Sequence, residues 1–434
     1  MTQSAIAPKN STSRVVFASF LGTALEWYDF FVYGTVAALV FGKIFFPSYD
    51  QTTGILLAFG TFAVGFIARP LGALLFGHMG DTIGRKRVLV ITMMLMGVST
   101  VAIGLLPTYE QIGIASTFLL ILMRIGQGLA LGGEWGGAVL IVAENGDEKN
   151  RGFHTSWAQI GVPVGNLLSV GIIAVVSLLV SEEQFLAWGW RIPFVASVVL
   201  ILVGLWVRSG LHESPEFAEL AKKRETQTRP LVELVKKQPR ELLVACCVRI
   251  GTDVAFYVFS LFVLTYVTAR LGVARSVALQ GVLVASAIQI FVIPFVATLS
   301  DRYGRRGIFL IGSIGAAIWS FPFFTMLDTR DPMLIMLAIC VAMTFWALMY
   351  GPLAAFLTEL FPTNVRYSGL SLGYQLAGIF GGGLAPLIAT WLLKEYNSAT
   401  AVSVYVALAL VLTTVAMVMS RKRSSRAAVS MAAN

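Results

Sequence analysis

The chain has 434 residues, 57% of them hydrophobic and only 13% charged, with a mean hydropathy of +0.79. A water-soluble domain of that length needs far more charge to coat its surface, so most of this one faces lipid. The net charge of +9 is spread over short segments between apolar runs, which excludes a nucleic-acid footprint and reads as attraction to an inner leaflet.

In chain order, residues 1–14 are polar and read as a cytoplasmic tail; the apolar run that follows is too long for the core of a cleavable signal. A membrane-spanning helix needs roughly 20 apolar residues. Runs of that kind stand at 16–42, 53–77, 88–106, 112–143, 153–180, 190–207, 241–269, 277–299, 308–327, 333–358, 367–393 and 399–420. They lack the strict alternation of outer-membrane barrel strands. The expectation is therefore an all-α membrane protein of twelve transmembrane helices. Its parts are a six-helix unit over 15–208, a polar cytoplasmic connector over 209–240, a second six-helix unit over 241–420 and a cytoplasmic tail over 421–434. Within the connector, 229–240 reads as a short interfacial helix. If both termini are cytoplasmic, 23 of the 32 Lys and Arg residues fall on the inner side, the asymmetry that sets topology. Cys246, Cys247 and Cys340 lie within spans and read as packing residues, and three His leave little to build a metal centre from. No metal and no cofactor is expected.

The chain repeats itself. Gly77, Asp81, Gly84, Arg85 and Lys86 stand between spans two and three; Ala297, Asp301, Gly304, Arg305 and Arg306 stand between spans eight and nine, 220 residues on. Glu144 and Arg151 follow span four, and Glu359 and Arg366 follow span ten at the same separation of seven residues. Both halves begin on one side of the membrane, so the repeat is parallel, as in transporters whose two bundles rock about a central site. In the first loop, Asp81 and Gly84 suit a tight turn, Gly77 suits close approach of another backbone, and the basic residues suit anionic lipid.

These loops resemble the signature of the major facilitator superfamily. Within it, Glu26-Trp27-Tyr28-Asp29-Phe30, Arg69-Pro70-Leu71-Gly72, Arg124-Ile125-Gly126-Gln127-Gly128 with Gly132-Gly133-Glu134, and Glu359-Leu360-Phe361-Pro362 resemble the metabolite:proton symporter family. The stretches Gly132–Gly137, Trp188–Pro193 and Tyr367–Gly369 suit members that carry shikimate-like acids and members with other substrates. The resemblance implies the two-bundle major facilitator fold, gating by the repeated loops, and no enzymatic activity. Ala297 departs from the glycine usual at that position, implying looser packing of the second loop.

Ionisable residues inside spans mark functional sites by default. At ~1.5 Å of rise per residue, Glu26 lies about 15 Å deep, Asp29 about 20 Å, Arg69 about 18 Å and Glu134 about 15 Å. Three acids and one guanidinium thus share a level near the membrane centre. If they converge, one acid must hold a proton near neutral pH, as proton coupling requires; the alternative is a polar joint neutralised by Arg69. Arg124, with Gln127 one turn inward, offers a fork for a carboxylate. Arg249 and Asp253 are either a self-neutralising pair or the second half's share of the site. Tyr257, Gln159, Asn166, Trp346, Tyr374 and Gln375 either line a cavity or hold helices together.

The reading is a proton-coupled secondary transporter for uptake of a small organic acid, a shikimate-like monocarboxylate or a dicarboxylate. It would work as a monomer in the bacterial cytoplasmic membrane, with substrate, protons and lipid as partners. No phosphate-binding G-x-x-x-x-G-K-[ST] loop is present. The alternatives are a carrier of a zwitterionic osmolyte such as proline or betaine, and a non-transporting sensor.

Overall fold

A computed structural model describes residues 12–83, 85–132, 139–140, 142–143, 148–209, 234, 236–362 and 365–420. Helix is the only regular structure among them. With no water in the hydrocarbon layer, a helix satisfies its backbone groups internally, which the long apolar runs demand. In the first half, α1 (Thr12–Val36) continues through a π-helical turn (Ala37–Phe41) to Phe45. It is followed by α2 (Gln51–Ile83), α3 (Arg85–Leu105), α4 (Ile114–Gly132), α5 (Arg151–Leu179) and α6 (Ser197–Ser209). In the second half, α7 (Pro239–Tyr257) runs on through π-helical turns at Val258–Phe262 and Tyr266–Arg270. Next come α8 (Arg275–Tyr303), α9 (Arg305–Asp328) and α10 (Pro332–Leu360). The chain of helices closes with α11 (Arg366–Gly378, then Ile379–Gly383 as a π turn and Ala385–Tyr396) and α12 (Ala399–Met419).

Eleven helices among the described residues are long and apolar enough to cross a membrane; α3, apolar over Val90–Leu105, supplies the twelfth. Large apolar side chains such as Phe291 (75% exposed), Leu179 and Trp206 cover their outer faces, where lipid replaces water. Most of the connector and both chain ends lie outside the described residues.

The helices pack as two six-helix bundles with one plan. The contacts α1–α5, α2–α4, α3–α4, α3–α6 and α1–α6 recur as α7–α11, α8–α10, α9–α10, α9–α12 and α7–α12. The duplication extends to a backbone irregularity: the π turns Ala37–Phe41 and Val258–Phe262 sit at matching places in α1 and α7. The halves meet along α5–α8 and α2–α11. On the expected outer side, Lys394 pairs with Asp50 (3.6 Å) and Arg275 with Glu182 (2.5 Å), and Thr265 donates to the Ala38 carbonyl (3.1 Å).

Glycines set how closely α2 and α4 cross. A Cβ at Gly72 would stand 2.0 Å from the Leu129 carbonyl oxygen, one at Gly128 2.1 Å from that of Gly65, and one at Gly132 2.0 Å from that of Arg69. Gly77 does not share in this: a Cβ there would meet nothing within 4 Å. The close approach expected at Gly77 lies instead one to three turns deeper, where the two backbones cross.

Candidate functional site

The deepest charges gather where α1, α2, α7, α10 and α11 meet. Arg69, on α2, is 2% exposed. Its guanidinium carbon lies 3.9 Å from the centroid of the Phe66 ring, 4.3 Å from that of Phe30 and 5.6 Å from that of Trp27, an aromatic cradle that suits a cation. Gly382 and Gly383, in the π turn of α11, bring that helix against Phe66; a Cβ at Gly382 would stand 2.5 Å from the ring. The Arg69 Nε and Nη2 are buried and have no hydrogen-bond partner.

Facing Arg69 from the second half are Tyr257, Tyr374, Asp253 and Arg249. Arg249 and Asp253, one turn apart on α7, form a two-pronged pair, Nε to Oδ2 at 2.8 Å and Nη2 to Oδ1 at 2.7 Å. Arg249 Nη2 also donates to the Tyr374 hydroxyl (2.8 Å), while its Nη1 is left without a partner. Trp346 stacks on Tyr350 at 4.3 Å between centroids and donates from Nε1 to the Thr252 carbonyl (3.1 Å). The hydroxyl of Tyr257 is buried and unpartnered. Gln159 donates to the Tyr350 carbonyl across the halves, and Gln375 donates to the Gly132 carbonyl (2.9 Å); both amide oxygens remain unpartnered. Asn166 instead bonds Ser286 (3.0 Å) and ties α5 to α8. Buried polar atoms are rarely left unpaired, and Arg69, Arg249, Tyr257, Gln159 and Gln375 each keep at least one here. Two guanidiniums and one carboxylate therefore share a buried site, with donors and acceptors to spare.

The first half's other charges lie elsewhere. Arg124 is fully buried in a box of Phe30, Tyr33 and Phe62, 4.2, 4.3 and 4.7 Å from their centroids. It donates to Gln127 Oε1 (2.9 Å) and to the Phe62 carbonyl (3.5 Å). Room for it comes from Gly65, where a Cβ would stand 2.5 Å from its Nε. Arg124 thus shares the Phe30 ring with Arg69, and its Nε is left without a partner. Asp29 does not meet Arg69, contrary to the expectation of convergence. It turns toward α3 and α6, where Ser197 Oγ donates to its Oδ1 (2.5 Å). Asp29 and half-buried Glu26 line one small pocket with Met93, Met96, Leu200 and Gly204. They do share a helix face, but that face is rotated away from α2. Glu134 lies outside the described residues.

A sequence profile described as Major Facilitator Superfamily matches residues 19–386. The chain belongs to the major facilitator superfamily. It is 40% identical to the inner membrane metabolite transport protein YhjE of Escherichia coli (strain K12) over 96% of this chain and 95% of that one. It is 40% identical to the shikimate transporter of the same organism over 88% of each chain. The crystal structure of a D-xylose-proton symporter superimposes with a TM-score of 0.73 over 92% of this chain and 97% of that one, at 19% identity. The protein is accordingly a multi-pass membrane transporter and not an enzyme.

The superfamily loop is visible in its second copy. Gly304 has φ +93°, a conformation that glycine adopts freely, and closes the turn between α8 and α9. Asp301 pairs with Arg305 (2.8 Å), which also holds Glu359 (2.8 Å). Its carboxylate then reaches across the halves to the N-terminus of α5, accepting from the N–H groups of Gly152 (2.9 Å) and Phe153 (3.0 Å). A Cβ at Gly152 would stand 2.9 Å from the Ala297 carbonyl oxygen. The loop packs tightly after all, because the missing glycine at 297 is supplied by the facing helix. Glu359 pairs with Arg305 and not with Arg366, which donates to the Phe361 carbonyl (3.3 Å), and Arg306 bonds the Val418 carbonyl. In the first copy, α2 runs on through Asp81 to Ile83. Gly84, Glu144 and the side chains of Asp81, Arg85 and Lys86 lie outside the described residues, and Arg151 opens α5.

Sequence reasoning missed Tyr350, Phe30 and Phe66. An aromatic on a fully apolar helix is ordinarily core; the only signal was Trp346 and Tyr350 one turn apart on the same face as buried polar groups.

Proposed function

We propose that the protein is a proton-coupled symporter that takes up a small hydroxylated organic acid, acting as a monomer in the bacterial cytoplasmic membrane. The observation that carries this is the buried guanidinium of Arg69 with two donors unused. Asp253, the carboxylate that acts on it from α7, already gives both oxygens to Arg249. An uncompensated buried charge is unfavourable, and a substrate carboxylate docked on the Arg69 fork supplies the missing anion. The free amide oxygens of Gln159 and Gln375 accept, so substrate hydroxyls suit them; the Tyr257 hydroxyl serves as either donor or acceptor. A zwitterion with an N–H ammonium, such as proline, fits less well, because Asp253 already gives both oxygens to Arg249. The name of the shikimate transporter supports the same class.

Asp29 is assigned the coupled proton. It is buried at mid-span, the Ser197 hydroxyl donates to it, and no cation pairs with it among the described residues. Such a carboxyl is accommodated charged or neutral, as a proton carrier must be. Thermal-shift measurements on the purified full chain test the substrate class. Hydroxylated monocarboxylates and dicarboxylates are expected to raise Tm in proportion to binding, whereas proline, betaine and neutral sugars leave it unchanged. Stabilisation by proline or betaine with none by the acids would reverse the assignment.

A further inference from the structure

The Phe66 ring that carries the Arg69 guanidinium at 3.9 Å lies 5.6 Å from the ring of Tyr257, one turn beyond Asp253 on α7. Glycines of α11 let the two sides approach. A Cβ at Gly378 would stand 4.0 Å from Arg69 Nη1, and one at Gly381 would stand 2.9 Å from the Asp253 Cβ. At Gly382 it would stand 2.5 Å from the Phe66 ring and 3.0 Å from that of Tyr257. One turn before Gly378, the Tyr374 hydroxyl accepts from Arg249 Nη2 (2.8 Å). Arg69, Asp253 and Arg249 thus meet along one short stretch of α11, between Tyr374 and Gly382.

The three are 2%, 3% and 4% exposed in that order, so bulk water screens their charges little. Asp253 gives both oxygens to Arg249, at 2.8 and 2.7 Å, and that pair is neutral. Arg69 keeps its charge together with the open Nε and Nη2. The stretch is therefore balanced by one added negative charge and not by two. Arg124, which shares the Phe30 ring, offers no second fork. Its Nη1 serves Gln127 (2.9 Å), and the α2 backbone covers its Nε, where a Cβ at Gly65 would stand 2.5 Å away. A second substrate carboxylate would have to lie beside Asp253 or displace it from Arg249. Either way a buried carboxylate is left without a cation of its own, which is strongly unfavourable.

We propose that Asp253 is a specificity-determining residue: by neutralising Arg249 it leaves the site room for one negative charge, so the carrier selects acids with a single carboxylate over those with two. This rests on the reading of the substrate as a hydroxylated organic acid docked on Arg69, and narrows it. Beyond its carboxylate, such a substrate meets neutral groups, the amide oxygens of Gln159 and Gln375 and the Tyr257 hydroxyl.

The test measures Kd by calorimetric titration of the purified full chain at about pH 7.5, where free carboxyls are ionised. The probes are quinate and glycerate, with one carboxylate each, and malate and tartrate, with two. The wild type is expected to bind the better monocarboxylate at least about tenfold more tightly than either dicarboxylate. Asp253→Asn keeps the shape and releases the Arg249 charge, and that ratio is expected to fall by at least about tenfold. Combining Asp253→Asn with Arg249→Gln removes both charges and is expected to restore the preference, which a merely structural role for the pair would not produce. A wild-type preference for a dicarboxylate, or an unchanged ratio in Asp253→Asn, overturns the proposal and leaves the organic-acid reading standing. Should Asp253→Asn bind none of the acids, the double variant decides. Recovered monocarboxylate preference supports the charge count, and absent binding there too marks the pair as structural and overturns it. No binding of any of the four acids by the wild type overturns the organic-acid reading and this inference with it.

Discussion

Two arginines in the central cluster carry the same group in different electrical settings. Arg249 is neutralised by Asp253 on its own helix, while Arg69 rests on rings and keeps two donors unused. The account therefore puts substrate affinity on Arg69. Replacing it with lysine keeps the charge but removes the planar fork, and the expected result is a rise in substrate Kd of at least about tenfold, ~1.4 kcal/mol, by calorimetric titration. An unchanged Kd would place the carboxylate elsewhere. That these residues matter was legible, because a charge inside an apolar run stands out without any structure. Where they point was not. The helical rise gives depth, and an i, i+3 spacing puts Glu26 and Asp29 on one face, but neither says which neighbour that face meets. Ser197, a small hydroxyl on α6, decides it for Asp29, and nothing in its local sequence marks it.

At the scale of helices, the α2–α4 crossing is set by contacts of backbone on backbone. Gly72 faces a carbonyl oxygen that cannot move aside as the end of a flexible side chain would. Gly72→Ala is expected to lower stability by about 1–3 kcal/mol, read as a fall in Tm. Gly77→Ala, with open space around it, should leave Tm unchanged. Equal behaviour of the two would mean that the crossing is looser than described. The glycines were visible in the sequence, yet the close approach was assigned to Gly77 because the repeated loop drew attention there. The π turns of α1, α7 and α11 were not legible at all. A π turn differs from an α turn by one residue per ring, and packing against the neighbouring helix selects it.

Across the whole molecule, the duplication was plain in two loops and proves to govern five helix contacts in each half. The halves are tied on both sides of the site, by Lys394–Asp50 and Arg275–Glu182 on one face and by Asp301 on α5 at the other. Releasing the Asp301 tie should favour opening on its own face. In Asp301→Ala, a single cysteine placed near that opening should react faster with a thiol reagent while substrate Kd changes less than about twofold, since the loop governs interchange of states rather than the site. A large loss of affinity with unchanged reactivity would contradict this. The central claim is that an inward proton gradient drives the uptake of an anion, and gradient-driven uptake into proteoliposomes tests it most directly. With the acid that stabilises the protein most, the account predicts accumulation above equilibrium when the outside is acidic, abolished by a protonophore. Uptake that merely equilibrates, indifferent to the imposed pH gradient, would contradict it.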